Sequence, residues 1–295
     1  MFTVLSILAG VITALTVAQN GQLARFYGDY SAAVLIHLIG LATVLTWRFF
    51  ARTTLPEKKP AKPWMFLGGV VGVGTTVFIN MAYGGVGVTA IIGLGLLGQS
   101  LTSIVVDQFG LLGAQKSPFF AGKLIGLFFV LLGAAVMLYP MEAASWTAVL
   151  LALCSGVTIV VARTINGQLA KRHGPMRSTV MNYVTGLICT TLLMLMIGRG
   201  EPMWTNFQLS GNVFMYLGGA FGVGLIMLLN LTVNKVPAFA LTLLQFTGQI
   251  FTGLLLDVLA EDRFSWQSAL GGVLVAIGLC LDVCLTRRRD KPKAL

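Results

Sequence analysis

Apolar residues run nearly unbroken along this chain in ten long stretches, at approximately 2–22, 31–50, 64–83, 88–106, 119–139, 146–165, 178–198, 212–233, 237–258 and 267–286, parted by short polar segments. A hydrocarbon core of about 30 Å takes about 20 residues of helix to cross, so each stretch has the length of a span. Strands of an outer-membrane barrel alternate apolar and polar residues over about ten positions, and these stretches do not alternate. Helices and closed barrels are the two structures that satisfy every backbone group inside lipid. The pattern therefore predicts an all-α integral membrane protein with ten transmembrane helices. The first stretch lacks a basic leader, and its ending returns within the chain. It reads as a span and not as a cleaved signal peptide.

Polar interruptions inside these stretches occur twice. Asn20-Gly21-Gln22-Leu23-Ala24 returns as Asn166-Gly167-Gln168-Leu169-Ala170. Leu67-Gly68-Gly69 with Gly72-Val73-Gly74 and Asn80 returns as Leu217-Gly218-Gly219 with Gly222-Val223-Gly224 and Asn230. Gly98-Gln99 followed by Asp107 returns as Gly248-Gln249 followed by Asp257. The chain thus divides into a first five-helix repeat, 1–141, and a second, 142–295. Five spans is an odd number, so the second repeat enters the membrane from the opposite side and the two repeats are inverted. Loop charge agrees with that reading. Cations crowd the connection after span two, from Arg48 to Lys62, while its counterpart after span seven has Arg199. Conversely Arg25 follows span one, and Lys171, Arg172 and Arg177 follow span six. Inverted repeats suit alternating access around one central site.

Composition sharpens the class. The chain is 56% hydrophobic and 10% charged, against about 25% charged residues in soluble domains. Its net charge of +10 is explained by topology. With both termini on one side, every Lys and Arg outside the spans falls on that side except Arg25, Arg199 and Arg263. The positive-inside rule places that side in the cytoplasm, and no nucleic-acid partner is needed. Trp47, Trp64, Trp146, Trp204 and Trp266 fall at span ends, where amphipathic rings prefer to sit. Arg163 lies within span six, where snorkelling to the cytoplasm is expected; its counterpart in span one is Val17. Cys154, Cys189, Cys280 and Cys284 lack the spacing of a metal site or disulfide framework. No Walker lysine follows Gly72-Val73-Gly74, and no nucleophile motif or zincin signature is present. No cofactor, metal or catalytic residue is expected, and the chain does not read as an enzyme.

Polar groups within spans are costly in hydrocarbon and tend to face the interior or a cavity. Gln99 and Gln249 lie near mid-span and are the candidate substrate-binding pair, with Gly98 and Gly248 letting a ligand approach the backbone. The alternative is that each glutamine bonds a neighbouring helix and holds the bundle together. Gly68-x-x-x-Gly72 and Gly218-x-x-x-Gly222 read as faces for close helix contact. Asp107 and Asp257 lie toward opposite span ends, either securing helix ends or gates or taking up protons during transport. Asn20 and Asn166 each precede a glycine and read as helix caps, with a gate role as the competing reading. Asn80, Asn230 and His37 complete the gate or ion-coupling set; for His37, placed opposite Tyr183, a hydrogen-bonded core role is the alternative.

Ten helices in two inverted halves, the repeated N-G-Q-L, the G-G-x-x-G-x-G third span and the G-Q-x7-D fourth span resemble the drug/metabolite transporter superfamily, and within it the YdcZ-like branch. The resemblance covers the whole chain. Members of that branch occur as five-helix proteins or as ten-helix fusions. The resemblance implies a bacterial inner-membrane secondary transporter, an exporter, with a small-molecule substrate, a lipid bilayer around it, and protons as a candidate coupling ion. Small multidrug relatives use a glutamate in the first helix, whereas this chain has no acidic residue in span one or span six. Three functions stay open on the residues: a transporter of small metabolites or drugs, an uncoupled channel or facilitator, and a membrane scaffold binding a lipid or a partner protein. The internal repeat makes a monomer sufficient, and a homodimer is also compatible.

Overall fold

Helix is the form each apolar stretch takes, since it satisfies its backbone groups within the segment. A computed structural model describes residues 2–51, 59–83, 88–117, 122–137, 146–261 and 266–289. Within them run α1 (Phe2–Tyr27), α2 (Asp29–Ala51), α3 (Gly68–Tyr83), α4 (Val88–Phe109), α5 (Gly122–Met137), α6 (Trp146–His173), α7 (Pro175–Met196), α8 (Gly218–Thr232), α9 (Ala238–Glu261) and α10 (Trp266–Arg289). Six segments are long and apolar enough to cross a membrane: α1, α2, Ile91–Phe109 of α4, α6, α7, and Val213–Thr232, which joins a 3₁₀ turn to α8. Gly68–Tyr83 and Leu124–Gly133 are shorter apolar helices. The side chains of Asp257, Cys280, Asp282, Cys284 and Arg287 to Arg289, like Lys291 and Lys293, lie outside the described residues.

Helix ends differ from the sequence expectation. Asn20-Gly21 and Asn166-Gly167 do not cap α1 and α6, which continue to Tyr27 and His173. The breaks come seven residues later at Gly28 (φ 98°) and Gly174 (φ 84°), where glycine tolerates a backbone that other residues resist. Gly21 instead receives the ring of Tyr83, and Gly167 the side chain of Val233. Just beyond Gly28, Glu201 caps α2. Its carboxylate accepts the Tyr30 and Ser31 amides, each at 2.8 Å, and the Ser31 hydroxyl at 2.6 Å, an arrangement that also suits the positive end of the helix.

Helix contacts recur in pairs. α1 packs on α8 and α9, and α6 on α3 and α4; α2 packs on α7 and α8, and α7 on α2 and α3. Individual contacts match. Gly10 lies against the Gln245 carbonyl and Gly156 against that of Gly95; Gly98 lies against the Leu153 carbonyl and Gly248 against that of Ile7. Each site has its counterpart at the corresponding position of the sequence repeat, with the two halves exchanged. α5 and α10 pack chiefly on each other, at the side of this assembly. Large apolar side chains such as Phe49, Phe128, Leu150 and Phe251 point outward, while Gln99, Ser100 and Ser103 are buried. That distribution suits a protein surrounded by lipid.

Added bulk at these contacts has a definite expected cost. Gly156→Ala sets a methyl against the Gly95 carbonyl and the Gln99 amide, and is expected to destabilise the bundle by about 1–3 kcal/mol. The readout is a lowered unfolding midpoint in detergent. Gly211→Ala, with nothing within 4 Å, should leave the midpoint unchanged.

Candidate functional site

The paired helices enclose a cavity of about 180 Å³ at the centre of the bundle. α1, α2, α3 and α4 line it from one half of the chain, and α6, α7, α8 and α9 from the other. Eight amide side chains reach its wall: Asn20, Asn80, Gln99, Asn166, Asn182, Asn230, Gln245 and Gln249. Arg163 is the one formally charged side chain on the wall among the described residues.

Gln99 and Gln249 are 3% and 2% exposed and both line the cavity. Among the described residues neither amide hydrogen-bonds another helix, so each presents a donor and an acceptor to whatever fills the space. Gly98 and Gly248 point elsewhere, into the contacts of α4 with α6 and of α9 with α1. The asparagines tie the lining helices together. Asn80 donates to the Asp29 carbonyl at the start of α2 (3.0 Å). Asn230 donates to the Pro175 carbonyl at the start of α7 (3.4 Å) and to the Thr179 hydroxyl (3.1 Å). Asn166 donates to Asn182 Oδ1 (2.8 Å) and sets its own Oδ1 against Gly68, as Asn20 does against Gly218. The Oδ1 atoms of Asn20 and Asn80 are buried without a hydrogen-bond partner. His37 donates from Nδ1 to the Ala33 carbonyl (2.8 Å), and its ring stands edge-on to Tyr183 with centroids 5.9 Å apart.

Asp107 is buried (1% exposed) but is not part of the cavity wall. Its Oδ1 accepts the amide of Ala238 (3.0 Å), the first residue of α9, where a carboxylate satisfies an otherwise unpaired N–H and complements the helix dipole. The side chain that would make the corresponding contact in the other half is Asp257, outside the described residues.

Arg163 departs most from expectation. It does not snorkel; it is 3% exposed. Its guanidinium donates to Gln245 Oε1 (2.8 Å), the Ala238 carbonyl (3.0 Å), Ser103 Oγ (3.1 Å) and Thr242 Oγ1 (2.5 Å). Those acceptors come from α4 and α9 and hold the side chain inward, away from the end of α6. Gln245 and Asn182 are wall residues that the sequence reading passed over. Gln245 lies four residues before Gln249, hence on the same helix face, and that spacing was the available signal. Among the described residues no group of His, Cys, Asp and Glu is arranged to hold a metal ion.

A helical bundle with an apolar exterior and a central cavity that sets amides and one arginine among apolar side chains suits a protein that handles solutes within a membrane. The chain belongs to the YdcZ family of the drug/metabolite transporters, described as "Putative inner membrane exporter, YdcZ", which matches residues 1–136 and 147–281. It is accordingly a multi-pass inner-membrane protein of an exporter family. A solved crystal structure with 18% sequence identity, covering 98% of each chain, shares the fold with a TM-score of 0.70. Among curated proteins none matches the sequence.

The Asp107 contact makes a stability prediction. Asp107→Ala is expected to lower stability by about 1 kcal/mol through loss of the cap on α9. Asp107→Asn, which keeps an acceptor, should retain most of it. Thermal unfolding of the purified variants in detergent checks the order.

Proposed function

We propose that this protein is a secondary active transporter that exports small metabolites or drugs by alternating access, its moving halves being two inverted five-helix repeats, 1–141 and 142–295, with both termini in the cytoplasm. The observation that carries this reading is the placement of Gln99 and Gln249, repeat-related amides that line one central cavity and, among the described residues, bond no other helix. The exchanged glycine contacts add support, because two halves with equivalent seats can trade conformations around a fixed site. A cavity of about 180 Å³ is smaller than the roughly 300–1,000 Å³ typical of drug-sized sites, which favours small solutes. Asp107, which lies off the cavity wall, and its repeat counterpart Asp257 are the groups proposed to couple protons or to gate.

The test is flux in liposomes containing a pH-sensitive dye, with a panel of small metabolites. Uphill accumulation of a solute supports the transporter; downhill flux alone supports a facilitator. Proton movement that requires both a solute and intact Asp107 and Asp257 supports coupling. Gln99→Ala and Gln249→Ala are each expected to slow flux about tenfold, the equivalent of one hydrogen bond of about 1.4 kcal/mol, at an unchanged unfolding midpoint. Unchanged flux in both folded variants removes the amides from the site.

A further inference from the structure

We infer that the occupant of the cavity is a small organic monoanion, its carboxylate held at Arg163 and its hydrocarbon part against the apolar side chains of the wall. The inference rests on the reading of the cavity as a solute site and names the class of solute.

Arg163 is fixed before any solute arrives. Gln245, Ser103, Thr242 and the Ala238 carbonyl hold its terminal nitrogens, whereas its Nε is buried without a hydrogen-bond partner. A guanidinium offers five N–H donors in a rigid plane that matches a carboxylate. An unmet buried donor is unfavourable, and Arg163 is a wall residue of the cavity, so the inferred anion is the acceptor assigned to it. The four hydrogen-bond acceptors of Arg163 among the described residues are all neutral. Asp107 is within electrostatic reach but off the wall, with Oδ1 on the Ala238 amide. Among the described residues the wall itself carries no carboxylate. A cationic solute would therefore meet a fixed guanidinium with no carboxylate on the wall beside it, while an anion would add a charge-assisted bond.

Apolar wall side chains supply contacts for the rest of the solute. Thr75, Thr76 and Arg163 line the wall on α3 and α6. Their repeat counterparts on α8 and α1 are Leu225, Ile226 and Val17, which line the wall as well. Thr13 and Thr16 on α1 reverse the order, answering Ile159 and Ala162 on α6, so apolar side chains from both halves stand among the polar ones and offer contacts to the hydrocarbon part of a solute.

The test uses the purified full-length protein in detergent, with thermal unfolding followed in sodium benzoate and sodium 3-methylbutanoate, each against its own primary amide. A saturable rise in midpoint with the acids and none with the amides is expected, with acetate, which lacks an apolar end, weaker than either. Arg163→Gln should abolish the rise, and Arg163→Lys should weaken apparent affinity at least about tenfold, since an ammonium does not reproduce the planar fork. Absence of any acid effect, or amides equal to the acids, overturns the proposal on the unmodified protein alone, even where Arg163→Gln fails to fold. An acid response that persists in folded Arg163→Gln also overturns it. Acid binding without flux in liposomes would sink the transporter reading and leave this one standing; flux of a neutral or cationic solute, unchanged in Arg163→Gln, would do the reverse.

Discussion

Backbone meets backbone where Gly98 seats the Leu153 carbonyl and Gly248 the carbonyl of Ile7, and the cavity depends on those two approaches. Successive residues of an α-helix are about 100° apart around its axis. A glycine clamped against a neighbouring helix therefore turns the next side chain away from that contact. In α4 and α9 the next side chains are Gln99 and Gln249, and both reach the cavity wall. Close contact and cavity lining are thus consecutive positions of one helix, and a methyl at the first shifts the second. Without a hydrophobic drive between helices in lipid, such close approach through small residues is what holds them together.

Polar side chains in these spans fall into two groups. Many Ser and Thr hydroxyls bond back to their own helix, as Thr16 does to Ile12, Thr43 to Ile39, Thr164 to Val160 and Thr190 to Gly186. They are satisfied locally and contribute little to chemistry. The amides and Arg163 have longer reach and bond between helices or face the cavity. Asn80 and Asn230 illustrate the first use, pinning α3 to the start of α2 and α8 to the start of α7.

The helices were legible in the sequence because hydropathy over 20 residues is a strong signal, although six of the ten predicted spans are long and apolar enough to cross a membrane among the described residues, and the glutamines on the cavity wall were legible because they recur. Helix ends were less so. Asn-Gly is a common helix finish, yet Gly21 serves contact with Tyr83, and the actual break at Gly28 carries no asparagine before it. Snorkelling was the natural expectation for an arginine toward the end of an apolar helix; acceptors on α4 and α9, remote in sequence, pull Arg163 inward instead. Gln245 and Asn182 went unnoticed for a related reason. Their repeat counterparts are Gly95 and Ile36, so a reading guided by recurrence had nothing to recur. What the repeat shows is the shared scaffold, and what makes the cavity particular is where the repeat fails.

That failure is sharpest at Arg163 and Val17. An assembly of two identical five-helix chains must carry any wall residue twice, so a guanidinium on one side brings a second, and like charges in a poorly solvated space repel strongly. Such a pair has either two cations or none. A continuous polypeptide escapes that restriction, because each half drifts on its own: one keeps the guanidinium, the other keeps valine. A single chain can therefore carry one guanidinium at this cavity, which no symmetric pair of equal subunits can do.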